Sequence, residues 1–246
     1  LKEEFIVAFS VCSCFAIFST LMLGKDTIKS FIFLFVLATS LPVVGQTHLV
    51  GIKGGVNTTN FWGGDYNGPY HLGNVFGFSG GLTYEYHSNK SINYGIDLLH
   101  VKRGGHGSFD SGLQNEISEY WNFNYLSLPI KGGVLFGDLF SVSANFGIIP
   151  SLLINQFSYV NTTTPEGETV SLTGQQDVNK FDCAVLFELG LNCRLFSSLY
   201  IHITFGYQKS FTTDESFKNG GGYRNEGLVP HFGIKYGLPK NKKATR

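Results

Sequence analysis

From Phe181 to Phe211 the chain alternates apolar and polar residues with hardly a break. Phe181, Cys183, Val185, Phe187, Leu189, Leu191, Cys193 and Leu195 occupy one parity, and Asp182, Ala184, Leu186, Glu188, Gly190, Asn192 and Arg194 the other. Only a β-strand sends neighbouring side chains to opposite faces, so this period predicts extended structure. Phe196, Ser197 and Ser198 turn the chain, and a second run places Leu199, Ile201, Ile203, Phe205 and Tyr207 against His202, Thr204, Gly206 and Gln208. Each run is long enough to cross a bilayer, for which roughly 9–11 tilted residues suffice. The pair reads as a hairpin of an outer-membrane barrel, apolar side to lipid and polar side inward.

The same alternation recurs along the chain. Strands are expected over roughly 49–60, 74–86, 91–103, 119–135, 139–154, the two of the hairpin, and 228–238. The connections alternate too: His87–Lys90, Phe136–Asp138 and Phe196–Ser198 are short, whereas 61–73, 104–118, 155–177 and 212–227 are long. Short periplasmic turns and long outer loops mark transmembrane barrels, and an even strand count leaves both termini on the periplasmic side. The fold class is therefore all-β, an eight-stranded antiparallel up-and-down transmembrane β-barrel in the outer membrane.

Composition narrows the function. Eighteen basic and 18 acidic residues cancel, so nothing points to nucleic acid. With 23 Phe, 12 Tyr, 31 Gly and only 7 Pro, the chain suits many strands joined by tight turns. No apolar run beyond residue 45 is long enough for a membrane helix. Cys183 and Cys193 sit ten residues apart on one strand, roughly 33 Å at strand rise, too far for a disulfide or a shared metal. They read as small lipid-facing side chains, and neither cofactor nor metal is expected.

Residues 1–45 read as targeting sequence. Lys25 and Lys29 form a basic region, Phe31–Leu41 an apolar one, and Val43-Val44-Gly45 a cleavage site that leaves Gln46 first. The only Met is Met22. Residues 1–21 thus read as an upstream extension before the true start, 22–45 as a signal peptide, 46–238 as the barrel and 239–246 as a basic tail. The alternative is that Phe5–Leu23 is made and adds a second apolar segment. Cys12 and Cys14 lack a lipidation context.

A soluble lipocalin-like barrel would turn its apolar face inward. Three features disfavour it: the strand length, the glycine-studded charged face, and aromatics recurring near strand ends (Phe61, Trp62, Tyr84, Tyr86, Trp121, Tyr207, Phe211, Tyr236), read as interfacial girdles. By parity Lys53, Lys131, Arg194 and Lys235 point inward together with Glu85, Asp97, Asp182 and Glu188. An eight-stranded barrel barely holds its own side chains, so these charges are expected to pair across it and plug the lumen.

Gly51-Ile52-Lys53-Gly54-Gly55-Val56-Asn57 resembles the opening G-x-K-x-G-x-N strand of the PorT-like outer-membrane β-barrel proteins, and Tyr125-Leu126-Ser127-Leu128-Pro129-Ile130-Lys131 resembles their Y-L-x-I-P-x-x-x-K strand, with the lysine one residue early. The resemblance spans about Gln46 to Leu238. It implies a single small barrel in the outer membrane of a Gram-negative bacterium, in a family with a link to type IX protein secretion.

The glycine-rich stretches Gly104-Gly105-His106-Gly107 and Asn219-Gly220-Gly221-Gly222-Tyr223-Arg224 have no following Lys-Ser/Thr or helix that would make a phosphate cradle, so they read as surface loops. His202 and His231 fall on the polar face of neighbouring strands, where Ser210 and Glu188 could approach. Lumen filling and a hydrolytic site both fit them. The expectation is a non-enzymatic surface or accessory protein that contacts outer-membrane lipids and meets a protein partner at its long loops. The alternatives are an outer-membrane lipid hydrolase using a His, and a narrow channel or solute binder.

Overall fold

The computed structural model describes residues 47–62, 71–88, 91–110, 116–163, 169–174, 179–196, 198–212 and 224–238. The expected upstream extension at 1–21, with Cys12 and Cys14, the signal peptide at 22–45 and the tail at 239–246 lie outside the described residues. Among the described residues eleven strands are seen: β1 (Thr47–Trp62), β2 (His71–Gly73), β3 (Val75–His87), β4 (Ile92–Asp110), β5 (Glu116–Ser127), β6 (Ile130–Phe136), β7 (Phe140–Thr163), β8 (Thr169–Gly174), β9 (Phe181–Arg194), β10 (Leu199–Ser210) and β11 (Arg224–Gly237).

All pairings are antiparallel, and they close on themselves. β5 and β6 each lie between β4 and β7 and form one wall strand, interrupted at Leu128–Pro129 because proline cannot donate to the ladder. The ring runs β1–β3–β4–β5/β6–β7–β9–β10–β11 and back to β1, eight wall strands in all. Stepping across direct partners gives Leu49, Glu85, Gly95, Lys131, Gly147, Leu186, Gln208, Gly227 and Thr59, so one circuit returns ten residues further along β1. That stagger with eight strands implies a tilt of about 40° and a backbone radius of roughly 8 Å, too narrow for an open pore.

The three short turns share one rim with the start of β1 and the end of β11. Ser88 N donates to Ile92 O at 3.1 Å, and Leu195 N to Leu199 O at 2.8 Å. Gly137 turns with φ of 101°, a left-handed conformation suited to glycine. Leu49 pairs with Gly237 at the same rim. The opposite rim is uneven. β7 has 24 residues and β4 has 19, far more than a crossing needs. Their outer halves stand beyond the ring with β5 between them, and β2 and β8 attach to the two sides, making an open β2–β4–β5–β7–β8 sheet. The expected loop at 104–118 is therefore largely strand: 104–110 belong to β4 and 116–118 to β5, paired from His106↔Tyr120 to Asp110↔Glu116. Within 155–177, β7 continues to Thr163 and β8 turns back on it, and Arg224 begins β11. The rest of the second glycine stretch lies outside the described residues.

Parity holds on the wall. Ile52, Val56, Phe78, Leu82, Phe146, Phe187, Leu189, Leu191, Phe205 and Phe232 are exposed, while Lys53, Ser79, Thr83, Asp97, Lys131, Asn145, Glu188, Thr204, His231 and Lys235 are buried. A one-residue bulge opposite Asn124/Tyr125 shifts the register of β7 and reverses its parity beyond that point. Of the two wall cysteines, Cys183 is buried and Cys193 half-buried, and both are free thiols.

Candidate functional site: the filled lumen and the sheet above it

Four strands send one charge each to the middle of the lumen. Lys53 of β1 lies 2.6 Å from Asp97 of β4 and 3.6 Å from Glu188 of β9. Lys131 of β6 lies 2.7 Å from Glu188 and 3.2 Å from Asp97. Each lysine thus touches both acids, a closed ring of two cations and two anions. The carboxylates take further hydrogen bonds: Thr83 donates to Asp97 at 2.6 Å and Asn145 to Glu188 at 3.1 Å, with Asn93 donating to Asn145 at 2.9 Å. Such partnering offsets the cost of burying the charges. Gly95 makes the room, since a Cβ there would lie 2.8 Å from Cε of Lys131.

Toward the short-turn rim Lys235 donates to Glu85 at 2.6 Å and to Asn192 at 3.1 Å. Toward the tall rim Asp182 is held by Arg103 at 2.8 Å and by the hydroxyls of Ser210 and Thr212. Arg103 also reaches Ser127 and Ser151. Lys53, Glu85, Asp97, Lys131, Asp182, Glu188 and Lys235 therefore all lie in the lumen. Arg194 does not. It is exposed at the end of β9, past the last inward position, because the strand runs out at the rim. Arg103 takes its place as the fourth cation. It has the parity of Asn93, Gly95 and Asp97, but Leu99 and Val101 intervene on the same face and hide the pattern.

Above Arg103 the chemistry changes. Phe61, Trp121, Phe123 and Tyr125 form a buried cluster with Leu153 against it. Phe61 meets Trp121 edge to face at 5.6 Å and Phe123 at 6.2 Å, and the Arg103 guanidinium sits 5.3 Å over the Tyr125 ring. Phe61 and Trp121 are thus not girdle residues. Their parity is that of the lumen, and apolar character alone misplaces them. A Cβ on Gly105 would collide with the Phe61 ring, so this glycine seats the plug.

His202 and His231 are both buried. Ser79 Oγ lies 2.8 Å from Nε2 of His231, while Nδ1 of His231 and both ring nitrogens of His202 have no protein partner. Ser210 and Glu188 are engaged with Asp182 and Lys131 instead. The pair therefore lacks the orienting carboxylate of a hydrolytic triad. Among the described residues no three His, Cys, Asp or Glu converge as metal ligands.

On the outer surface, His106, Tyr120 and Tyr159 stack in one register line across β4, β5 and β7, with centroids 4.2 and 4.7 Å apart. Trp62 lies beneath Lys209, whose Nζ is 3.8 Å from the ring centre.

A closed wall with an apolar exterior, a polar paired interior and no unpaired barrel edge is built to dissolve in lipid. The molecule is a small β-barrel of an outer membrane.

No protein-family model matches the sequence, and no curated protein does either. Among solved structures the chain is similar to Neisserial surface protein A, at 12% identity over 78% of this chain and 99% of that one, with a TM-score of 0.41. It is also similar to the outer membrane protein OprG from Pseudomonas aeruginosa, at 12% identity over 78% and 96%, TM-score 0.40. A third is a major outer membrane protein from Thermus thermophilus, at 14% identity over 79% and 100%, TM-score 0.41.

Proposed function

We propose that this barrel is a non-enzymatic surface protein of the PorT-like kind, whose working part is the sheet outside the membrane and whose lumen is structural. The observation that carries the reading is the contrast in strand length. β4 and β7 run to 19 and 24 residues, and the excess builds an ordered sheet rather than slack loops. A chain that needed only a membrane anchor would stop at the lipid surface. The filled lumen supports the same reading, because ion pairs and an aromatic cluster occupy the space a solute would have to cross. The Gly51-to-Asn57 strand supports the family: Lys53 and Asn57 both reach into the lumen, where Asn57 donates to the Lys102 carbonyl at 2.6 Å.

Affinity capture from native outer membranes tests the role. Wild-type protein should retain a protein partner that a Tyr120→Ser, Tyr159→Ser variant loses, and should turn over neither radiolabelled phospholipid nor lipid A. Lipid turnover abolished by Ser79→Ala or His231→Ala would replace this reading with the hydrolase.

A further inference from the structure

The open sheet ends in β8, whose second edge pairs with no strand among the described residues. All six of its residues are exposed. Edge strands are normally blunted by lysine, proline, a bulge or a cover. The segment Thr169-Val170-Ser171-Leu172-Thr173-Gly174 has no charge and no proline, and three of its six residues are β-branched. Val170 and Leu172 are 56% and 67% exposed. They share the face of Val160 and Thr162, away from the Tyr159 stack.

The segment is also symmetric in chemical type about Ser171. Two copies laid antiparallel on that residue set Val170 against Leu172, Thr169 against Thr173 and Ser171 against Ser171. Directly opposed apolar pairs and Thr pairs are the favourable cross-strand combinations, and no like charges meet. We infer that β8 is a homophilic docking edge, which pairs antiparallel with β8 of a second copy of this chain. The inference rests on the surface role proposed above and names its partner.

Geometry fixes the orientation. A two-fold axis that joins antiparallel edge strands into one continuous sheet stands perpendicular to that sheet. Here the sheet prolongs the barrel wall, so the axis lies in the membrane plane and reverses the barrel direction. The two barrels then face each other head to head from two apposed membranes. One six-residue contact is small, and small interfaces are weak. Many copies between two surfaces act together, so adhesion follows from multivalency.

Full-length protein in two differently tagged proteoliposome populations tests the pairing. Thr169→Cys in one population and Thr173→Cys in the other should cross-link on oxidation, and so should Ser171→Cys with itself. Thr169→Cys with Thr169→Cys should not, because the partners would be roughly 13 Å apart, beyond disulfide reach. Wild-type vesicles should tether, and Val170→Lys, Leu172→Lys vesicles should not. These positions are exposed, and unchanged heat-modifiable gel mobility verifies each variant's fold. Equal cross-linking in all registers, cross-links only within one population, or no tethering would overturn the inference. Wild-type vesicles that fail to tether while a different captured protein binds remove self-pairing and leave the surface role. Lipid turnover would remove the role itself.

Discussion

The middle of the lumen and its outer end do the same job with opposite chemistry. In the middle, Lys53, Lys131, Asp97 and Glu188 fill space as a closed set of ion pairs. At the outer end Phe61, Trp121, Phe123 and Tyr125 fill it by packing. Arg103 joins them, bound to Asp182 on one side and stacked over Tyr125 on the other. The difference teaches how each region fails. A charge set is stable only when complete, since removing one member strands its partners in a place without water. A packed cluster loses the burial of what is removed and carries the cost of the cavity left behind, but strands no charge.

The largest effect should therefore come from Asp97→Ala, which leaves Lys53 and Lys131 sharing one acid. A loss of about 3–5 kcal/mol is expected, read as an earlier urea unfolding midpoint in lipid vesicles. Adding Lys131→Met should restore much of it, and a double variant no better than the single would break the charge-set account. Next comes Trp121→Ala, at about 3 kcal/mol, the low end for such truncations because the outer end can admit water. Smaller again is Gly105→Val, where the new side chain meets the Phe61 ring, at about 1–3 kcal/mol of overpacking; pairing it with Phe61→Ala should relieve the strain. Smallest is Arg194→Ala, exposed at the rim, which should stay within about 0.5 kcal/mol. A large loss there, in the same unfolding assay, would return Arg194 to the network.

Parity makes the wall legible from residues alone. A strand in a barrel has one wet face and one lipid face, so Leu189 and Glu188 declare themselves. The same logic fails where residue type stands in for position. Aromatic character assigns Phe61 and Trp121 to the lipid, although their parity matches Lys53 and Ser127. Parity alone assigns Arg194 to the lumen, although the strand ends there. The outer sheet is hidden for a different reason. Glycines at 104, 105 and 107 suggest a loop, but Gly105 is small because the Phe61 ring needs its place. The β7 bulge then reverses the phase, so alternation above Ile154 no longer joins the pattern below it.

The central claim is that the lumen is a filled structural core. Single-channel recording in planar bilayers tests it most directly. Wild-type protein should show no steady openings, and neither should Trp121→Ala, because the ion-pair ring still closes the barrel beneath the missing plug. Steady openings from the wild type would contradict the claim.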